Sequence, residues 1–303
     1  MAQVSKMFEI QMVIFVYLLI GFISKKSGVV SKDGQQKFVP FVLNVLMPFM
    51  TFHSFRNVTL QMMSDAFLVL LISFMICVGS IYLGKIIYRK YSVEKQKIMQ
   101  YATLISNAGF AGLPIASQMF GEIGLLYASV YLIPVRIFMW SAGKTILSNQ
   151  KASPKDVVIS LLKNPNIIAV ILGLTRGLMQ IQFPTFIDTA IGNISSCVSP
   201  ISLIVIGAII SDVDLKTVWE KGIGLYCVVR LFIIPLITFA CTSLCGFNDS
   251  IVGTTTILAS MPAPTTTALL AVQYGLDETF ASKLVFMTTI LSIVTCPLLM
   301  LLF

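Results

Sequence analysis

Asn107, the run Thr265, Thr266 and Thr267, and the arginines Arg136 and Arg230 all stand inside apolar stretches of this 303-residue chain. An amide and hydroxyls can donate hydrogen bonds to a carboxylate, and a guanidinium adds positive charge. A charge at membrane depth costs at least about 2.5 kcal/mol on insertion scales, so Arg136, about eleven residues into its span, marks a functional position. Arg230 is weighted more evenly between function and structure. These groups suit binding of an anion. Catalysis is not expected, because no serine, histidine and acid set lies inside the apolar runs. ATP-driven transport has no support either, because no glycine loop is followed by the lysine that holds phosphates, and no cofactor is expected.

Two stretches must position these groups. Ser106 to Gly121 reads SNAGFAGLPIASQMFG, and Ser260 to Gly275 reads SMPAPTTTALLAVQYG. Gly109, Gly112 and Pro114 in the first, and Pro262 and Pro264 in the second, remove helix propensity and backbone donors. Lipid tolerates a broken backbone only where protein encloses it around a hydrated cavity. The first stretch is expected to unwind over Asn107 to Gly112 and restart near Pro114, and the second to unwind at Pro262 and restart near Pro264. Each restarting half-helix would offer unpaired N–H groups and about half a positive charge. Two such ends, with Asn107, Arg136, Thr265 and Thr266, would make an anion site near the bilayer midplane. No metal site is expected.

Of the residues, 56% are hydrophobic and 11% charged, against roughly 25% charged in soluble domains. This is the composition of a polytopic membrane protein. Apolar runs place ten spans, at 7–24, 38–55, 66–87, 98–120, 125–147, 165–181, 188–210, 222–244, 251–273 and 280–303. The net charge of +8 does not form a nucleic-acid face, because the lysines and arginines sit between spans. Lys25, Lys26, Lys32 and Lys37 fill the first connection, Lys85, Arg89, Lys90, Lys95 and Lys97 the third, and Lys144, Lys151, Lys155 and Lys163 the central one. The positive-inside rule puts these in the cytoplasm and both termini outside. Residues 1–147 and 165–303 then form two five-helix repeats inserted in opposite senses, joined by a cytoplasmic connection at 148–164. Pro48 in the second span and Pro200 in the seventh repeat the correspondence.

Acids are expected only near the two surfaces: Glu9, Asp65, Glu122, Asp188 and Asp249 outside, and Asp212, Asp214, Asp277 and Glu278 inside. Cation pumps and proton-coupled carriers usually need an acid at the midplane, so a negative solute is favoured. His53, the only histidine, is expected as an interfacial residue closing the second span. Lys283 could admit an anion or anchor the inner interface. The six cysteines are scattered and read as small packing residues.

At these residues the chain resembles the auxin efflux carrier family, which includes bacterial permeases for malate, malonate and related acids. The resemblance runs end to end: IGFISKKSGVV, NVLMPF, SNAGFAGLP, FMWSAG, NPNIIAVILGL, SPISLIVIGA, RLFIIPL, ASMPAP with AVQYG, and TTILSIVTCPL. It implies a ten-helix inverted-repeat fold like those of bile-acid symporters and sodium/proton antiporters. Spans 1, 2, 6 and 7 would form a scaffold, often a homodimer, and the other six a transport domain moving as an elevator. In the plant carriers of the family an asparagine at the first crossover meets the substrate carboxylate, and Asn107 matches that position; Pro114 and Pro262 match the crossover prolines. Arg136 departs from the pattern, which more often has an uncharged polar residue there, and this suits a more highly charged anion. The central connection is too short for the plant carriers and favours a prokaryotic permease of the inner membrane.

The expectation is a secondary carrier for mono- or dicarboxylates, exporting by uniport down an inside-negative potential. Two alternatives stay open: sodium- or proton-coupled uptake of an organic acid, and a receptor that binds without moving its ligand.

Overall fold

Proline and glycine decide where the helices of this chain change course. The computed structural model describes residues 2–148, 153–211 and 219–302, so Lys151, Asp212 and Asp214 lie outside the described residues. Among the described residues the secondary structure is helical throughout: α1 (Ala2–Lys26), α2 (Lys32–Phe41), α3 (Met47–Ser54), α4 (Leu60–Ile87), α5 (Val93–Leu104), α6 (Leu113–Phe138), α7 (Lys144–Ser148), α8 (Pro154–Leu162), α9 (Pro165–Leu178), α10 (Thr185–Ile210), α11 (Ile223–Val228), α12 (Ile234–Leu244), α13 (Asp249–Ala259), α14 (Thr266–Gln273) and α15 (Glu278–Met300).

Wide π turns join several of these helices: Val42–Leu46, Ala108–Gly112, Met139–Gly143 and Val229–Ile233. Three of them have a shared cause. Pro48, Pro114 and Pro235 each follow a π turn by two residues. A proline cannot donate to the carbonyl four residues back, and its ring crowds that carbonyl. The carbonyls in question, of Asn44, Phe110 and Leu231, all lie within the π turns, where the loosened backbone gives them room. Met47 and Ile234 accordingly donate five residues back, to Val42 and Val229.

Among the described residues five helical runs are long and apolar enough to cross a bilayer: Gln61–Ile87, Val93–Ser148, Thr185–Ile209, Ile223–Leu244 and Glu278–Met300. Pro154–Leu162 and Pro165–Leu178, parted by a short break, make a sixth if they are taken as one span. The expected ninth span falls short of that length because a stretch without helix, which holds Pro262 and Pro264, separates α13 from α14, whereas the expected second stays helical through its π turn from Lys32 to Ser54. On α4 the exposed apolar residues Phe67, Leu71, Phe74, Met75, Tyr82 and Ile86 follow helical spacing, as a lipid-facing stripe should. Asp65, expected in a connection, instead sits within α4, buried, accepting from Tyr127 Oη at 2.9 Å and Gln61 Nε2 at 3.1 Å.

The chain divides into two compact units. One comprises Met1–Leu68, Phe110–Val130 and Leu162–Val213. Its helices α1 and α10 touch through their backbones. A Cβ at Gly21 would lie 1.8 Å from the Ile204 carbonyl oxygen, and one at Gly207 2.0 Å from that of Leu18, so neither position can carry a side chain. Asn164 caps α9 by accepting from the N–H groups of Asn166 at 3.0 Å and Ile167 at 3.3 Å, with Pro165 at the first helical position. Near the other end of α9, Arg176 is buried with Asp188 at 2.5 Å and lies over the rings of Phe183 and Phe52, at 4.5 and 5.5 Å.

The other unit comprises Val69–Gly109, Tyr131–Leu161 and Asp214–Phe303. Its core gathers Tyr88, Ile98, Met99, Tyr226, Phe280 and Leu284, all wholly buried. Glu220 bridges two cations there, with Lys95 at 2.6 Å and Lys283 at 3.0 Å. Those hydrogen bonds, Lys95 first and Lys283 second, hold the Glu220 carboxyl below its ordinary value of 4.5. Lys283 is thus committed to a glutamate.

Candidate substrate site

The second unit contains both interruptions anticipated at Asn107 and Pro262, and its own hydrogen bonds tie them together. α5 ends at Leu104, and Ile105 is extended, with φ −108° and ψ 128°. α13 ends at Ala259, and residues 261–264 belong to no helix. The Asn107 N–H donates to the Pro262 carbonyl at 2.8 Å. Ser106 Oγ donates to the Leu258 carbonyl at 3.4 Å, and the Ala263 N–H to Thr288 Oγ1 at 3.2 Å.

Arg230 sits beneath this join. It is 2% exposed, and its Nε donates to the Met261 carbonyl and its Nη1 to the Thr103 carbonyl, each at 2.9 Å. A broken helix leaves carbonyls without partners, and one guanidinium here serves one carbonyl beside each break. Tyr226 Oη does the same for the Ala102 carbonyl at 2.9 Å. Of the two roles weighed for Arg230, the geometry displays the structural one.

The first break departs from expectation in one respect. Unwinding is confined to residues 105–107, and helical turns resume at Ala108 as the π turn that runs into α6. Pro114 is therefore the second residue of α6 and does not start the half-helix. Its ring imposes the wide turn, so the N–H groups at the helical start are those of Ala108 and its neighbours. α6 bends again at Gly121, whose φ of 64° and ψ of −145° suit a residue without a Cβ. Gly112 and Pro114 belong to the first unit and the other anticipated residues to the second.

Within the second unit, Asn107 is half-buried, and its side-chain amide has no hydrogen-bond partner among the described residues. Arg136 lies against the break: a Cβ at Gly109 would be 3.2 Å from its Nη2, so the absence of a side chain at Gly109 leaves room for the guanidinium. Among the described residues Arg136 makes one hydrogen bond, to the Met139 sulfur at 3.7 Å. Among the described residues no carboxylate forms an ion pair with Arg136 or Arg230. At the second break Pro262 and Pro264 are buried in the extended stretch, and Thr265 is the N-cap of α14 without a side-chain cap. Thr266 Oγ1 is paired with Tyr101 Oη at 3.3 Å. Thr267 Oγ1 is buried without a partner. Sequence reasoning passed over Tyr101, Tyr226 and Thr288, because nothing in an apolar run marks which hydroxyl will meet a carbonyl far along the chain.

The long apolar helices and the polar breaks inside them define a multi-pass membrane protein. The family described as membrane transport protein matches residues 7–300. The chain belongs to that family, the family of the auxin efflux carriers, and is a transporter by descent and not an enzyme. It is similar to an uncharacterised transporter of Methanothermobacter thermautotrophicus, 27% identical over 94% of each chain. An uncharacterised transporter of Methanocaldococcus jannaschii is 25% identical over 96% of each. A protein of Rhizobium meliloti named putative malonate transporter is 24% identical over 68% of this chain and 67% of its own.

Proposed function

We propose that this chain is a secondary transporter of small organic anions, mono- or dicarboxylates, which binds them at the joined breaks. The observation that carries the reading is Arg136: a guanidinium beside the first break with no carboxylate partner, next in the fold to an extended segment carrying the unpaired Asn107 amide. A cation kept at membrane depth without a counterion is costly, and an anionic ligand would offset that cost. Asn107 would donate to one carboxylate, Arg136 would hold the second charge of a dicarboxylate, and Thr265 with the N–H groups starting α14 would complete the site. Gly109, Gly112, Pro114, Pro262 and Pro264 would shape the backbone around it. The name of the Rhizobium meliloti relative makes malonate the first dicarboxylate to test.

The mechanism proposed is elevator-type alternating access on a ten-span, inverted-repeat fold, with residues 1–147 and 165–303 as the repeats. Length supports counting more spans than long helices: the run Val93–Ser148 has 56 residues, which at about 1.5 Å per residue would extend roughly 84 Å, far beyond a ~30 Å hydrocarbon core. Its interruption at 105–107 and bend at Gly121 fit a broken fourth span followed by a fifth. Spans 1, 2, 6 and 7 would be the scaffold, in a homodimer, and spans 3–5 and 8–10 the moving part. Both termini would lie outside the inner membrane. Export would be driven by about 2.3 kcal/mol per charge per 100 mV.

Solid-supported-membrane electrophysiology on proteoliposomes, challenged with malonate and a panel of monocarboxylates, tests the reading. The expected result is a current with the sign of anion movement that persists without sodium or pH gradients and falls at least tenfold in Asn107→Ala. Wild-type currents in Asn107→Ala would overturn the site, and a current that requires sodium or a pH gradient would replace uniport with coupled transport.

A further inference from the structure

Tyr101 lies in the last turn of α5, one turn ahead of the first break, and is wholly buried. Its ring rests against Gly143, in the π turn Met139–Gly143 that follows Arg136. A Cβ at Gly143 would come within 3.0 Å of Tyr101 Cε2 and 3.2 Å of Cδ2, so a side chain there would press on the ring. The Tyr101 hydroxyl reaches Thr266 Oγ1, 3.3 Å away in the first turn of α14, where the helix resumes after the second break. One side chain of the second unit thus joins the helix before the first break, the helix after the second and the turn beyond Arg136.

Counting acceptors places the two hydroxyl protons. Among the described residues neither hydroxyl makes a second hydrogen bond. If Thr266 donated, the buried phenol proton would be left without an acceptor, which is costly. Tyr101 therefore donates and Thr266 Oγ1 accepts, which leaves the Thr266 proton unspent. Tyr101 itself has no accessible surface, whereas Thr266 keeps part of its own, as do Asn107 and Arg136.

We propose that Tyr101 is a positioning residue of the anion site: its hydroxyl holds Thr266 Oγ1 as an acceptor, so that Thr266 presents its own proton to a substrate carboxylate. The assignment rests on the organic-anion reading above. It makes Thr266 the donor of the second break, as the Asn107 amide is of the first, and leaves discrimination by charge to Arg136. Every carboxylate carries the oxygens that Thr266 would meet. Loss of the Tyr101 hydroxyl should therefore weaken mono- and dicarboxylates alike.

The test is equilibrium binding of radiolabelled malonate and acetate to purified protein, with variants first checked for monodisperse elution and an unchanged melting temperature. Tyr101→Phe removes the hydroxyl and keeps the ring; it should weaken both acids by a similar factor, roughly three- to tenfold. Thr266→Val should weaken both at least as much, and Thr266→Ser, which keeps the hydroxyl, should bind as the wild type does. Adding Tyr101→Phe to Thr266→Val should cost nothing further, because the phenol acts only through the threonine. Wild-type affinity in Tyr101→Phe, with binding lost in Asn107→Ala, would overturn the role of Tyr101 and keep the site at the breaks. Full additivity of the two substitutions would overturn that role equally. Wild-type affinity in Tyr101→Phe, Thr266→Val and Asn107→Ala alike would sink the site itself, and absence of binding by either acid to the wild type overturns both.

Discussion

Arg176 in one unit and Arg136 in the other are both arginines of apolar helices, and their surroundings differ in every respect that matters. Arg176 has a carboxylate at 2.5 Å and two aromatic rings close by. Arg136 has a thioether and a glycine. Arg230 falls between them: it has no carboxylate, but two carbonyls accept from it. A guanidinium whose charge is answered by a carboxylate of the fold, as that of Arg176 is even with its Nη1 buried and unpartnered, is part of the framework. One whose donors alone are satisfied organises backbone, and one left with neither is available to a ligand.

That ordering can be broken by substitution. The largest effect is expected for Arg230→Met, which keeps much of the bulk and deprives the carbonyls of Thr103 and Met261 of their donors. At about 1–3 kcal/mol for each orphaned acceptor, the melting temperature should fall by several degrees and transport should be lost. A variant that transports normally would show that the breaks are held by other contacts. Arg136→Gln should behave in the opposite way, weakening dicarboxylates roughly tenfold or more while leaving the melting temperature unchanged or raised, since an uncompensated charge has been removed. Competition of malonate against acetate would read that shift, and loss of both acids in equal measure would deny Arg136 a role in charge selection.

Asp188→Asn sharpens the other side of the comparison. It strips Arg176 of its counterion, and because the Asp188 side chain is 37% exposed the cost should be only about 1 kcal/mol. Thermal unfolding should detect it while transport stays at the wild-type rate. The smallest effect concerns Glu220. Its carboxyl is held below the ordinary glutamate value in the folded protein, so the stability it contributes is complete above about 4.5 and is lost as the pH falls through the folded value. Melting curves from neutral pH downward should show Glu220→Gln losing less stability below pH 4.5 than the wild type, and equal losses would mean that the two lysines do not hold it.

Several parts of this arrangement were legible in the chain. Glycine and proline clusters marked both breaks, and Arg136 stood out because a charge inside an apolar run needs a reason. The restart of the first half-helix was misplaced by a few residues, because Pro114 was read as a start signal when its effect is to widen the turn before it. His53 was read as an interfacial residue, and nothing near it in sequence announces that Gln118, Glu122 and Ser195 share a pocket wall with it. Glu220, between Lys95 and Lys283, was equally hidden, since its partners lie 125 and 63 residues away.

From residue identity alone came the membrane class and the places where helices must fail, because those depend on the apolarity of a run and on whether a given residue has a donor and a Cβ. Only the tertiary structure decided which carbonyls Arg230 reaches, which arginine keeps an unanswered charge and which donors face no acceptor. Hydrogen bonds and ion pairs are made at a few ångströms, and the chain brings those atoms together only once its helices have packed.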